Sequence, residues 1–323
     1  MKKLILVFLM SLLAVFLFLN FAYPHLPISI DQFFQDSEKA PVRICLQQVK
    51  CNPGNLPLYV AIENGYFEKE NIHIQINLSY IDDNVTNFDV ILLGRNVLYS
   101  WPDQPGVLFA FTANYFDESN PTYAIIVQKD SEIKSLDQLK FKKIGLESGS
   151  GGARLVLMRI ILERNGLDPN DSEINFFSSI EELENGTIDA LYIREPEKSL
   201  ALSKGNFEIL VDEPVGRFVW TPWPMSYSAF SSEFLKERPN EAKKLVTVWD
   251  NAIDFIRKNP DEAGKLLEKC AQEEYGIGLK ISQFKQWKLG EMDRTFIQKQ
   301  IDLYHEKGIL GDDIDVDDIL YQN

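Results

Sequence analysis

The chain has 323 residues, 45% hydrophobic and 25% charged, with 33 basic against 48 acidic side chains and a net charge of −15. That length and apolar content suit about two domains with sizeable cores. The sign of the charge excludes a protein whose affinity rests on neutralising phosphates, so no nucleic-acid partner is expected.

At the N-terminus Lys2 and Lys3 precede an apolar run over 4–19, interrupted only by Ser11. This is the charged and then apolar pattern of an export signal. A cleavage site ending at Ala22 has Asn20 where a small residue is preferred, and the run is near the lower limit for a membrane span. Residues 1–22 are therefore expected to be a signal peptide or a membrane anchor, and the proline-containing stretch 23–40 a linker. Either way the protein is expected outside the cytoplasmic membrane. Export permits disulfides. Cys45 and Cys51 could bridge a strand to the loop after it, or Cys45 is a small buried hydrophobe; Cys270 is the third cysteine.

The folded part is expected from about Pro41, with a first strand over 42–49. A helix follows, with Pro57 in its first turn and Gly65 as its C-terminal cap. Ile72, Ile74 and Ile76 alternate with polar residues, the period of a strand. The run 88–93, ended by Gly94, reads as a strand buried on both faces, as in a parallel sheet. Strands are also predicted over 107–112, 123–127, 143–146, 188–193 and 208–211. Helical patterns lie between them, notably from 152 to about Asn165, capped by Gly166. From Ser232 onward the pattern is mostly helical, with Trp249, Ile253 and Ile256 on one face. Alternating strands and helices mean an α/β fold, here with more strands than one small sheet holds.

Several of these stretches resemble one family. Residues 56–61 (LPLYVA) with 63–67 (ENGYF) resemble the opening motif of periplasmic substrate-binding proteins of ABC importers, in the NMT1/THI5-like subgroup that takes up sulfonates, taurine, nitrate or thiamine-precursor pyrimidines. In the family's order follow 136–139 (LDQL) with 143–145 (KIG), the glycine loop 148–152 (SGSGG), 184–190 (ENGTIDA), the pair Glu195–Pro196 and 308–310 (GIL). The resemblance implies a type II periplasmic-binding-protein fold, two α/β lobes joined by two crossover strands. The first lobe would be 41–120 plus 225–323 and the second 121–224. It implies a small-molecule ligand held between the lobes, an ABC permease as membrane partner, and a monomer with no cofactor. A ligand-sensing protein for a membrane receptor is the alternative. A pyrimidine synthase of the thiamine pathway is a further one, against which the absence of a cysteine-rich motif and the export segment both count.

The residues themselves suggest where a ligand would sit. Ser148, Gly149, Ser150 and Gly151 follow a strand and open a helix, so backbone N–H groups and the helix dipole would favour an anion there. Gly94, Arg95 and Asn96 follow a buried strand at the end where open α/β sheets place ligands, and Arg95 offers a fork of donors. Asn55 either lines the cleft or caps a helix. Arg194, next to Glu195, either binds an anion or pairs with an acid. Trp223, with Trp220 and Tyr227, either covers a ligand or packs a hinge. No metal site is expected. Asp313, Asp315 and Asp317 mimic the start of an EF-hand loop, but Asp318 stands where glycine is needed.

Overall fold

In the computed structural model of the protein the described residues are 40–47, 51–79, 87–94, 98, 106–117, 119–147, 151–311 and 314–322. Residues 1–41 form one unit and 42–323 another, and the description below concerns the second. The run 4–19 and the expected signal or anchor lie outside the described residues. Among the described residues no helix is long and apolar enough to cross a membrane.

In chain order the strands are β1 (Val42–Gln47), β2 (Ile74–Ser79), β3 (Val90–Gly94), β4 (Leu108–Phe116), β5 (Tyr123–Gln128), β6 (Lys143–Glu147), β7 (Glu173–Ser178), β8 (Ala190–Arg194), β9 (Phe207–Asp212), β10 (Trp223–Ser231) and β11 (Lys285–Trp287). They form a six-stranded sheet, β11-β4-β10-β3-β1-β2, and a five-stranded sheet, β7-β6-β8-β5-β9. In the first sheet β1 runs parallel to β2 and β3, and β10 lies antiparallel between β3 and β4. In the second β6 runs parallel to β7 and β8, and β5 lies antiparallel between β8 and β9. Each sheet thus takes in one strand, β10 or β5, that begins where the chain has just crossed from the other. The crossings are 117–122 and 213–222. This is the two-sheet α/β architecture that the motifs implied.

Helices cover the sheets for ordinary reasons. Helix α1 (Leu56–Glu63) starts with Pro57 in its first turn and ends before Gly65, whose φ of 63° is left-handed and suits glycine. Helix α2 (Gly151–Arg164) buries Met158, Ile161 and Leu162. Helices α3 (Glu197–Ser203), α4 (Pro239–Lys258), α5 (Pro260–Tyr275) and α6 (Arg294–Glu306) follow. Asp293 caps α6 by accepting from the N–H groups of Thr295 and Phe296. On α4 the buried residues Leu245, Val248, Trp249, Ala252 and Ile256 recur at helical spacing and form one stripe. Trp249 meets Phe67 and Phe111 edge-on, with centroids 5.8 and 5.4 Å away, while Phe111 stacks on Phe230 at 4.0 Å. Each such ring contributes roughly 1.5–3 kcal/mol through burial alone. In β6 a Cβ on Gly145 would lie 2.5 Å from Ile188 Cδ1 and 2.6 Å from Ser178 Cβ, so only glycine lets the strand sit there.

Three strands escaped the sequence patterns. β10 is buried along most of its length but reads as polar, because Ser226 and Ser228 face inward; Ser226 is satisfied by Asn114 Nδ2 at 3.1 Å. β7 is a sheet edge whose Phe176 and Phe177 are exposed, which breaks the inside-outside alternation. β11 has three residues, too few to carry a period. β4, expected over 107–112, runs on through Tyr115 to Phe116.

Cys51 pairs with Cys270, 219 residues away, and Cys45 is buried and takes no part in that disulfide. The nearby pair weighed from the sequence does not form, because Cys45 faces the core of β1 while Cys51 meets α5. Closing so long a loop restricts the unfolded chain, so replacing both Cys51 and Cys270 by Ala should cost about 2–4 kcal/mol in denaturant unfolding. The same loss should follow reductant in the native protein and be absent from the double variant.

Candidate functional site

Because β1, β3 and β4 all point one way, their carboxyl ends share an edge of the first sheet. β6 and β8 end together in the second. There Glu147 closes β6, Arg194 closes β8, and Arg154 lies in the first turn of α2. The Arg194 backbone N–H donates to Glu147 Oε2 at 3.2 Å, and its Nε lies 3.7 Å from Glu147 Oε1. Arg154 reaches the same carboxylate at 3.8 Å and donates to the Glu147 carbonyl. Ser148, Gly149 and Ser150 lie outside the described residues, but both ends of their loop are on view, at Glu147 and at Gly151, the first residue of α2. One carboxylate and two guanidiniums therefore tie together the end of β6, the end of β8 and the first turn of α2. Burial opposes the Arg194 charge most, yet Glu147, Tyr123 and Glu197 together outweigh it and hold the guanidinium above its ordinary value. Glu197 is the fourth charge here. Burial, then the Glu147 charge, push its carboxyl up to about 7 against the pull of Arg194.

In the first sheet Gly94 is the last residue of β3, and Arg95 and Asn96 lie outside the described residues. Asn55 is fully buried at the N-cap position of α1, but its side chain makes no capping bond; Asn52 caps the preceding turn by accepting from the Gly54 N–H at 3.0 Å. Asn55 instead hydrogen-bonds Tyr59, whose hydroxyl burial pushes up to about 12 even as Asn55 draws it back. Tyr59 in turn feels Glu274. The next residue, Tyr275, ends α5; burial raises it, and the charges of Glu197 and Glu147 raise it further. Tyr59, the partner of Asn55 in one half, and Glu147 at the foot of the 148–150 loop in the other are thus both within electrostatic reach of the end of α5.

Of the other three sequence candidates, Glu195 ties the halves together, Arg194 pairs within the second sheet, and Trp223 packs beside the second crossing. Arg194 is engaged by Glu147 and by the Tyr123 hydroxyl, so it takes the acid-pairing role. Glu195, 1% exposed, accepts from the Ser199 N–H at 3.2 Å and from the backbone N–H of Ser282, which lies on the far side of the crossings. Ser199 Oγ also donates to the Lys280 carbonyl at 3.2 Å. Trp223, 2% exposed, is enclosed by Trp220 at 4.7 Å and Tyr304 at 6.2 Å, the packed-hinge arrangement.

Sequence reasoning missed the groups at the crossings. Glu213 opens the second crossing with a left-handed φ of 47°. Its Oε2 accepts from the N–H groups of Thr122 at 2.8 Å and Tyr123 at 3.3 Å, which end the first crossing. Burial pushes this carboxyl up to about 8, although both N–H groups favour the charged form. Lys198 adds a second tie, donating to the Pro121 carbonyl at 3.0 Å and Asp212 at 2.8 Å. No local pattern marks either residue; only the pairing of distant segments reveals them. Among the described residues no group of His, Cys, Asp and Glu is placed to hold a metal.

A strand order of this kind is that of the periplasmic-binding-protein fold. The fold is similar to that of the aliphatic sulphonate binding protein SsuA from Escherichia coli, at a TM-score of 0.64 and 18% identity over 88% of this chain and 99% of that one. It is also similar to the desulfurization enzyme DSZB, at a TM-score of 0.62 and 15% identity over 87% and 97%. At such identity the likeness is one of fold, and this fold hosts both binding and catalysis. Residues 113–263 match the family model NMT1/THI5 like, which bears out the resemblance read from the motifs over that stretch. By sequence the chain is 24% identical over 220 residues to a Bacillus subtilis (strain 168) protein named as the binding protein YtlA, and 30% identical over 143 residues to one named as aliphatic sulfonates-binding. The matches span 63% and 42% of those two relatives' lengths.

The raised Glu213 carboxyl has a consequence for stability. A carboxyl whose pKa rises on folding stabilises fully below its ordinary value of 4.5, and that contribution is lost as pH climbs through about 8. Glu195 and Glu197 are raised as well and act in the same direction. Between pH 5 and pH 8.5 the melting temperature should fall, and Glu213→Gln, which keeps an acceptor for Thr122 and Tyr123, should flatten that fall by a few kcal/mol of stability. A melting series of both proteins across this range checks it.

Proposed function

We propose that this chain is an extracytoplasmic solute-binding protein that captures a small anionic or heteroaromatic ligand between two lobes and delivers it to an ABC importer. The lobes would be 41–120 plus 225–323 and 121–224, and 1–22 would serve as signal peptide or anchor. The protein acts as a monomer and performs no chemistry on the ligand.

One observation carries this reading most. Asn55 and the foot of the 148–150 loop belong to different sheets, yet the C-terminal end of α5 lies within electrostatic reach of both, of Tyr59, the partner of Asn55, through Glu274 and of Glu147 and Glu197 through Tyr275. A ligand at that place would touch both lobes. Gly151 begins a 14-residue helix, long enough for its dipole and free N–H groups to favour an anion. Gly94, Arg95 and Asn96 would supply the opposite wall. Arg194, Glu195 and Trp223 would hold the walls in register. The curated relative named as sulfonates-binding supports an oxyanion as the ligand's polar end.

The physical event is closure about the two crossings. A ligand bound to both walls lowers the energy of the closed form relative to the open one. A ligand at about a hundred times its Kd adds roughly 2.7 kcal/mol to the stability of the folded chain. Thermal melts with ethanesulfonate, taurine, nitrate, an aminopyrimidine and small carboxylates should therefore give a clear upward shift for at least one class. Arg95→Ala and Ser150→Ala should each weaken that ligand about ten-fold or more by calorimetry. A flat response to every class would sink the ligand range proposed.

A further inference from the structure

We propose a second binding site, for a small organic anion, in a cavity of about 640 Å³ beside the β4–β11 edge of the first sheet. That volume lies within the roughly 300–1,000 Å³ typical of small-molecule sites. The cavity takes residues from the end of β4, from the first crossing, from α4 and from the segment 280–286. It shares no residue with the 94–96 and 148–151 loops.

Charge argues for an anion. In a chain of net charge −15, the described wall carries Arg257, Lys280 and Lys285 and no acidic residue. Arg257 is held by Glu291 at 2.6 and 2.9 Å, and Lys285 by Asp117 at 2.6 Å, so these two are largely neutralised from behind. Lys280 is exposed and has no ion-pair partner among the described residues; only its backbone carbonyl is engaged, by Ser199. Gln286 adds a donor of another kind. Its residue is 4% exposed, and Nε2 has no hydrogen-bond partner among the described residues. A buried amide N–H left unmade is costly and rare in native proteins. The Gln286 side chain lines the cavity, and a turn of its amide toward the opening would let an acceptor oxygen satisfy it.

The rest of the wall fixes the other end of the ligand. Tyr115, Ile256, Pro260 and Phe284 give it an apolar floor, and Tyr115 is held flat against Trp287 at 4.4 Å. The site therefore suits an amphiphilic anion, with an oxyanion at Lys280 and Gln286 and a flat or aliphatic body over the rings.

The test uses the purified full chain and three probes of one shape: benzoate, benzenesulfonate and the uncharged benzamide. Calorimetry should show binding of at least one anion and not of benzamide, and the crystal structure of the complex should place the ring over Tyr115. Lys280→Glu lies on the surface, should leave folding intact, and should weaken the bound anion about ten-fold. Gln286→Leu should weaken it as well, with thermal melting as the control for folding. Binding of one anion and not the other supports the site and names its head group. No binding by either anion, density only at the 148–150 loop, or an unchanged affinity in Lys280→Glu would overturn it. None of these outcomes depends on the solute taken between the lobes.

Discussion

The carboxylate of Glu213 holds the two crossings against each other, and the arrangement of both halves depends on that contact. Its oxygen takes two backbone N–H groups from the end of the first crossing, while its own N–H donates to the Tyr123 carbonyl at 2.9 Å. A left-handed φ on a side-chain-bearing residue costs about 1 kcal/mol or more, and here the surrounding bonds impose it. Lys198 and the aromatic series Phe116, Tyr123 and Tyr192 surround the same point. The core is continuous across it: Ile125 and Met158 of one half share a cluster with Trp223, Ile297 and Tyr304 of the other. Rotation about so well packed a junction is expected to be a rigid-body movement of sheets with little distortion inside either.

Much of the fold was legible because several of its strands are parallel and buried. Strands such as 88–93 and 188–193 read as apolar runs interrupted only by Asp89 and Asp189, and the helices between strands carry proline starts and glycine ends at Pro57, Gly65 and Gly166. The strands that failed to register share a cause. They are antiparallel, an edge, or lined with serines that find partners only across the sheet. The pairing of Ser226 with Asn114 joins residues 112 apart and has no local signature. The same holds for Cys51, whose partner lies on a helix that no spacing rule connects to it.

The candidate site divides along the same line. Glycine-bearing turns after strands, at Gly94 and at 148–151, are visible in sequence because glycine interrupts an apolar run there. The charged side chains around them are not, since their meaning depends on what they meet. Arg194 is a free anion binder in one context and a brace in another, and Glu147 at the end of β6 decides which. Glu195, a candidate for the wall of the pocket, is also a strap to Ser282. Arg154 carried no signal at all, standing alone among the small and apolar residues that open α2.

The two tryptophans at the second crossing give the molecule an optical property. Trp220 carries the Lys299 ammonium 4.4 Å above its ring and has a buried indole N–H, while Trp223 is sealed from solvent beside it. Indole emission shifts in colour and yield with nearby charge and with the orientation of a neighbouring ring. A turn of one sheet against the other alters both at this spot, so the protein carries a built-in fluorescent gauge of its own posture and needs no attached dye.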